Sequence, residues 1–386
     1  MKNITFGKPS ITNKELSSVI SVLKSTWLGT GPVTKKFENN FRKYKKTNYA
    51  ISVNSCTSAL YLSLKLLNIK KGDEVITTSL TFCSTVNSII HAGATPVLVD
   101  IDKDTLNINY KEIQKKINRK TKAIIAVHFA GMPCDMDKIL KITNQYKINL
   151  IEDCAHAIES KYKGKKIGNF GTTGCFSFYV NKNICTAEGG MIITKNKKFN
   201  DKLLSLRLHG MTKDAWKRYL PRNSIKDKSY YYDVTNPGYK MNLSDLQSSL
   251  GLVQLGRVQE MWLKRKELYK IYEEKLKNLP LNFQKTPKYK FKHAYHLFII
   301  ILDKNKTKKT RDELVQFLKK NKIGFGIHYR SISDLSFYKK KYKLNSKDFP
   351  ESHNVGTNSI TLPLYPDLKY NEINKICRCL RSFFKD

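Results

Sequence analysis

The stretch GCFSFYVNKNICTAEGGMIIT, Gly174–Thr194, holds two strand-like apolar runs, GCFSF (174–178) and GGMIIT (189–194), with ten residues between them. Ten residues are too few for a helical crossover, so the second run is expected to return antiparallel to the first. Upstream lie five more such runs: YAISVN (49–54), EVITTS (74–79), TPVLVDI (95–101), KAIIAVHF (122–129) and NLIEDC (149–154). Several are continuously apolar, as in strands buried on both faces, and helical stretches such as TSALYLSLKLL (57–67) lie between the early ones. This rhythm predicts an α/β fold built on a mixed, mostly parallel sheet of seven strands.

The pattern changes near residue 243. LSDLQSSLGLVQLGRVQEMWLKRKELYKIYEEKL reads as one long helix, with Asn242 or Ser244 as its N-cap. It leads into HAYHLFIIIL, the helix TRDELVQFLKKN and IGFGIHYRSI, the makings of a smaller α+β lobe. The expected division is therefore a large domain over 1–242 and a small C-terminal domain over 243–386. A polar, aromatic connection over 211–237 precedes the boundary.

Composition narrows the function classes. The net charge of +38 invites a nucleic-acid reading, yet the lysines are spread along the chain as KK doublets at 35, 45, 70, 115, 165, 197 and 308. No finger, helix-turn-helix or RNP-like module accompanies them, so no nucleic-acid partner is expected. No apolar run approaches the roughly 18–20 residues that span a bilayer, and MKNITFGKPSITNKE lacks a signal-peptide core; a cytoplasmic protein is expected, with no membrane partner. The eight cysteines are scattered, as structural thiols are. Only Cys377 and Cys379 are close, and C-x-C without a second pair or nearby His is poor metal spacing, so no metal is expected.

Ligands of parallel sheets bind at the carboxyl ends of the strands. Those ends carry SCTSA, LTFCST, HFAGMP, DCAHA and YVNKN. Lys182 is either one more surface lysine or an amine desolvated enough to act as a nucleophile. Asp153 is either a local cap or a carboxylate able to hold a pyridinium N–H. His156 could touch the same cofactor or be satisfied locally. Ser55 and Thr57 open a helix whose N–H groups suit a phosphate, although both are ordinary capping residues. Phe82 could stack on an aromatic ring or belong to the core, and Ser177 could join the phosphate shell. No G-x-G-x-x-G follows the first run, GKKIGNFGTTG (164–174) has the wrong spacing, and no Walker-type lysine motif occurs, which weighs against nicotinamide and nucleoside-triphosphate readings.

Taken in order, STWLGTGP, NSCTSAL, GDEVITTSLTFCSTVNSIIHAGATPVLVDID, TKAIIAVHFAG, LIEDCAHAI, FSFYVNKNICTAEGGMIIT, NPGYKMNLSDLQSSLGLVQL and GFGIHYRSI resemble the DegT-type sugar aminotransferases, nearly end to end. The resemblance implies pyridoxal 5'-phosphate as cofactor and the fold type I architecture of aspartate aminotransferase. KNICTAEGG and AYHLFIII are most similar to the branch that aminates C4 of UDP-linked 4-keto sugars, UDP-4-amino-4-deoxy-L-arabinose aminotransferases among them. By that resemblance Lys182 would carry the cofactor in Schiff-base linkage and Asp153 would hold the pyridine nitrogen. His156 would lie by the ring, Phe82 would stack on it, and Cys56 (through its backbone), Thr57 and Ser177 would bind phosphate. Asn242 matches an asparagine supplied by the neighbouring subunit, which implies a homodimer with shared active sites. Thr30, Gly31, His328 and Tyr329 match substrate-side segments, and Glu188, in the AEGG turn that starts the next strand, would be structural or substrate-facing. Glutamate would be the amino donor, leaving as 2-oxoglutarate, and a nucleotide-linked keto sugar the acceptor.

Where the family often reads SFHxxK, Tyr179 and Val180 stand here, which places Tyr179 among the substrate-side positions. Related sugar dehydratases carry histidine in place of the lysine, and Lys182 argues against that branch. Arg207, Arg218 and Arg330 are candidates for the substrate diphosphate. The alternatives are a C3-keto sugar aminotransferase, and a regulatory or binding protein that keeps the cofactor without turnover.

Overall fold

The computed structural model describes residues 3–212 and 232–385. All seven apolar runs are strands of one sheet: β1 (Tyr49–Val53), β2 (Glu74–Thr78), β3 (Thr95–Val99), β4 (Thr121–Val127), β5 (Asn149–Asp153), β6 (Thr173–Ser177) and β7 (Gly190–Thr194). Their order across the sheet is β1-β7-β6-β5-β4-β2-β3. Strands β3, β2, β4, β5 and β6 run parallel to one another, while β7 is antiparallel to both β6 and β1. The short link between β6 and β7 thus reverses one strand in an otherwise parallel sheet.

The sheet is buried on both faces. Phe176, Met191 and Ile193 face one core with Phe37 and Phe41 of the helix Pro32–Lys45; Ile51, Cys175 and Ile192 face the other with Leu60 and Leu64 of the helix Cys56–Leu66. Under β1, Arg207 Nη1 pairs with Glu38 Oε1 at 2.5 Å and donates to the Ser52 carbonyl at 2.8 Å, all of it buried. Arg207 is therefore committed to the core and is not available to a diphosphate, contrary to expectation.

The smaller lobe has a three-stranded antiparallel sheet, β8 (Leu281–Phe283), β9 (Phe298–Leu302) and β10 (Ser359–Leu362), in that order. Its core joins Phe298 and Ile300 to Leu314 and Leu318 of the helix Arg311–Lys320 and to Ile373 and Ile376 of the helix Tyr370–Phe383. The helix Asp245–Leu276 runs 32 residues, about 48 Å at 1.5 Å per residue. Of the two candidates Ser244 is its N-cap: Ser244 Oγ accepts from Gln247 N, and Gln247 Oε1 accepts from Ser244 N. Leu255 and Val258 on this helix pack in the first lobe, Leu268 and Tyr272 in the second. Ile4 also lies in the second core, bonded to Lys322 and Gly324, so this residue of the N-terminal segment packs with the C-terminal lobe. No helix of the described residues is long and apolar enough to cross a membrane.

Candidate active site

A cavity of about 500 Å³ opens at the carboxyl ends of β4, β5 and β6, with His328 and Tyr329 of the second lobe closing one side. That volume lies within the range of small-molecule sites. The structure brings Cys56, Thr57, Phe82, Asp153, His156, Ser177, Tyr179, Lys182, Glu188, His328 and Tyr329 into its wall.

Lys182 sits in the loop from β6 to β7. Phe178 N donates to Gly189 O, Thr186 N donates to Phe178 O, and Lys182 N closes a turn on Tyr179 O, each at 2.9 Å. The amine faces the cavity rather than open solvent. Burial lowers its pKa to about 8 against the opposing pull of Cys56 and Asp153. An amine so placed is a nucleophile and a base near neutral pH.

Asp153, at the end of β5, is only 4% exposed. Its Oδ1 accepts from Ala155 N at 3.1 Å and its Oδ2 from Thr85 Oγ1 at 2.9 Å. Because Thr85 spends its proton on Asp153, Thr81 Oγ1, 2.9 Å away, must donate to Thr85. Burial still raises the Asp153 pKa, outweighing those bonds and the Lys182 charge. A buried carboxylate in that state is stabilised by a cationic N–H donor, which the nitrogen of a protonated pyridine provides.

The phosphate end follows from a close approach. Gly190 pairs with Val53 of β1 and with Ser177 of β6, so its position is fixed from both sides. A Cβ there would stand 2.6 Å from the Ser55 carbonyl group and 2.8 Å from Cys56 N. The first turn of the helix Cys56–Leu66 thus rests directly on β7, next to Ser177. Ser55 caps this helix by accepting from Ser58 N, which leaves the N–H groups of Cys56 and Thr57 without helical partners. Those donors, with the Thr57 and Ser177 hydroxyls, suit a dianionic phosphate.

Phe82 is 55% exposed at the rim, its ring 5.7 Å from that of Tyr329. His156 accepts from Ala130 N at Nδ1, so its Nε2 carries the proton and donates to Tyr329 Oη at 3.2 Å. Burial, then the Lys182 charge, holds His156 neutral; the same causes lower His328 to about 3. The donor set, the buried acid and the exposed ring together fit pyridoxal phosphate.

Three expected residues do not line this cavity. Thr30, Gly31 and Asn242 cluster instead at the start of the helix Asp245–Leu276. Asn242 Nδ2 donates to Thr30 Oγ1, Thr30 Oγ1 to Leu243 O, and Gly31 N to Asp245 Oδ1. Arg218 lies outside the described residues, and Arg330 is exposed, donating to Asp334 O at 3.2 Å. The sequence reading missed Thr85 and Thr81. Their signal was available in LTFCST: with Phe82 at the N-cap, Thr85 stands at the third helical position, where its hydroxyl reaches Asp153 at the end of β5.

Among the described residues, His128, Glu152 and Cys154 lie close enough to suggest a metal. Their ligand atoms are engaged: Glu152 accepts from Gly168, Phe170 and Gly171 N and from His128 Nε2, His128 Nδ1 accepts from Cys134 N, and Cys154 Sγ donates to Glu152 O at 3.6 Å. The cluster pins the 168–171 turn beside Asp153.

The chain is similar over nearly its whole length to proteins of known kinship. The spore coat polysaccharide biosynthesis protein SpsC of Bacillus subtilis is 39% identical over 383 residues, 99% of this chain and 97% of SpsC. The PLP-form of Spr1654 from Streptococcus pneumoniae superposes with a TM-score of 0.91 at 31% identity, over 100% of this chain and 99% of that one. Helicobacter pylori PseC, an aminotransferase involved in the biosynthesis of pseudoaminic acid, gives 0.89 at 28% identity with both chains fully covered. The DegT/DnrJ/EryC1/StrS aminotransferase family model matches residues 9–381, and the chain belongs to that family: it is a pyridoxal-phosphate-dependent sugar aminotransferase.

Proposed function

We propose that the chain transfers the amino group of glutamate to a nucleotide-linked keto sugar, at C4 of a UDP-4-keto sugar, during synthesis of a surface polysaccharide, lipid or glycan. The observation that carries the reading is the shared cavity of Lys182 and Asp153, one amine near neutrality and one buried acid in want of a cation. SpsC and PseC, through the biosyntheses in their names, support the sugar class.

Pyridoxal phosphate, when bound, supplies the electron sink for the pair left at Cα of the amino donor. Cys56 and Thr57 N–H with the Ser177 and Thr57 hydroxyls would hold its phosphate, Asp153 its ring nitrogen, and Phe82 and His156 would flank it. Lys182 Nζ takes the Cα proton of glutamate, and in the return direction delivers a proton to C4 of the sugar. Its low pKa keeps a usable fraction of neutral amine at physiological pH. Tyr179 and Glu188, at the exposed rim, face the incoming sugar and donor, and His328 and Tyr329 close the site against water.

We place Thr30, Gly31 and Asn242 in the site of a neighbouring subunit, within a homodimer. Support comes from their position away from their own cavity and from the exposed apolar face of the helix Asn13–Lys24, where Leu16, Ile20 and Leu23 are each about half exposed. The eight unpaired thiols support a cytoplasmic setting.

The test is to convert the protein with glutamate, remove the donor, and offer keto sugar nucleotides one at a time. Only the UDP-4-keto sugar is expected to restore the visible absorption of the starting enzyme. Restoration by a 3-keto sugar alone overturns the C4 assignment, and a Lys182→Ala protein that keeps both the band and turnover overturns the role of Lys182.

A further inference from the structure

Asn183 follows Lys182, is buried, and has its carboxamide bonded on three sides. Nδ2 donates to both oxygens of Glu159, at 3.0 and 2.9 Å, and to the Ala294 carbonyl at 3.0 Å. Oδ1 lies 2.9 Å from His296 Nδ1. The Ala294 carbonyl can only accept, so the amide must turn its NH₂ toward it and toward Glu159, whose pKa burial raises to about 7. Oδ1 is then an acceptor, and the His296 proton sits on Nδ1. The His296 ring packs 4.4 Å from that of His156 in the cavity wall.

Three segments meet here: the loop after β5 through Glu159, the lysine loop, and the 293–297 lead into β9 through Ala294 and His296. Neither Glu159, Asn183 nor His296 lines the cavity, so none touches a reacting atom. Lys182 N already closes a turn on Tyr179 O, and Asn183 is the anchored residue directly beyond that turn. A buried network with every member satisfied is rigid, whereas one broken partner leaves a costly orphan.

We propose that Asn183, clamped by Glu159 and His296, is a positioning residue that fixes the backbone of Lys182 and keeps its amine in the desolvated wall of the cavity. The proposal rests on the reading of Lys182 as the cofactor lysine. The charged and titratable groups facing Lys182 are Asp153, Cys56, His156, His296 and His328. The variants below leave all of them in place, so a change at Lys182 reports its position.

The experiment measures the pH midpoint of Lys182 reactivity toward an acylating reagent in cofactor-stripped protein, by mass spectrometry, beside kcat of the loaded enzyme. Wild-type protein is expected to titrate near 8. Asn183→Ser, too short to reach Glu159 or His296, is expected to raise the midpoint by at least half a unit toward the ordinary 10.5 and to lower kcat at least tenfold. Glu159→Gln keeps an oxygen acceptor for Asn183 Nδ2 and is expected to hold both readings within threefold in kcat and 0.3 unit in midpoint, whereas Glu159→Ala, equally uncharged, removes that acceptor and is expected to raise the midpoint as Asn183→Ser does. An unchanged midpoint and kcat in Asn183→Ser overturns the clamp. If Asn183→Ser does not fold, the two Glu159 variants decide: a raised midpoint in Glu159→Ala beside a wild-type one in Glu159→Gln supports the clamp, and equal midpoints overturn it. Failure of the underlying reading shows separately, as a Lys182→Ala protein that still binds cofactor with its visible band.

Discussion

Gly190→Ala tests whether the phosphate end of the cavity is built by close approach. The added Cβ would meet the Ser55 carbonyl group at 2.6 Å and Cys56 N at 2.8 Å, whereas ordinary contacts begin near 3.4 Å. Relief therefore takes a displacement of roughly 0.8 Å, between backbone segments on both sides. The glycine itself is held in two ladders, opposite Val53 and opposite Ser177, so β7 is the stiffer partner. The displacement falls on Ser55–Thr57, the turn whose N–H groups face the phosphate. Overpacking of this kind costs about 1–3 kcal/mol. Where the cost is realised as misplaced donors, cofactor affinity should fall roughly 5- to 150-fold. Absorbance titration of stripped protein with pyridoxal phosphate measures it, with the thermal midpoint as control. Affinity within twofold of wild type, in a folded variant, would refute the claim that this contact sets the phosphate donors.

Two further substitutions probe the buried charges. Asp153→Asn should lower kcat by roughly 10²- to 10³-fold, the scale of losing one preorganised charged partner. Because burial raises the Asp153 pKa, its charge opposes folding above that pKa, so the stripped variant should melt no lower than wild type; a marked drop in the melting temperature would contradict the sign. Arg207→Met should destabilise by about 3–5 kcal/mol, since it leaves Glu38 buried and unpaired, and denaturant unfolding should show it; Arg207→Met with Glu38→Gln should recover part of the loss.

The strands were readable because burial on both faces writes an unbroken apolar run, and the reversal of β7 was readable because chain length forbids the alternative. Strand-end residues followed, since parallel topology gathers their side chains at one edge. What could not be read was pairing at long range. Arg207 looks like any cation until Glu38, 169 residues away, is found beneath it. Ile4 carries no sign that it packs with a lobe built from residues beyond 260. Asn183 reads as a polar loop residue, and only the fold brings Glu159, Ala294 and His296 around it. Thr30, Gly31 and Asn242 do converge, but on a helix start rather than on the cavity of their own chain.

Nor does a depressed pKa single out the working lysine. Burial lowers Lys45 to about 8, the same as Lys182, and burial with the charges of Lys45 and Lys161 lowers Lys166 further, to about 7. On amine basicity alone Lys166 would react first. Its Nζ, however, donates to Tyr44 O and rests over the Tyr44 ring at 3.4 Å, and Lys45 Nζ donates to Ile158 O at 2.9 Å beside the Phe176 ring. Both amines are desolvated onto protein partners, and neither shares a cavity with a buried acid. Lys182 does, and the helix Cys56–Leu66 places phosphate donors in the same cavity. Pyridoxal phosphate followed by borohydride should therefore label Lys182 ahead of Lys45 and Lys166 at pH 7.5, and excess inorganic phosphate should slow that labelling specifically. Preferential labelling of Lys166 would mean that local basicity, and not the geometry of the cavity, selects the amine.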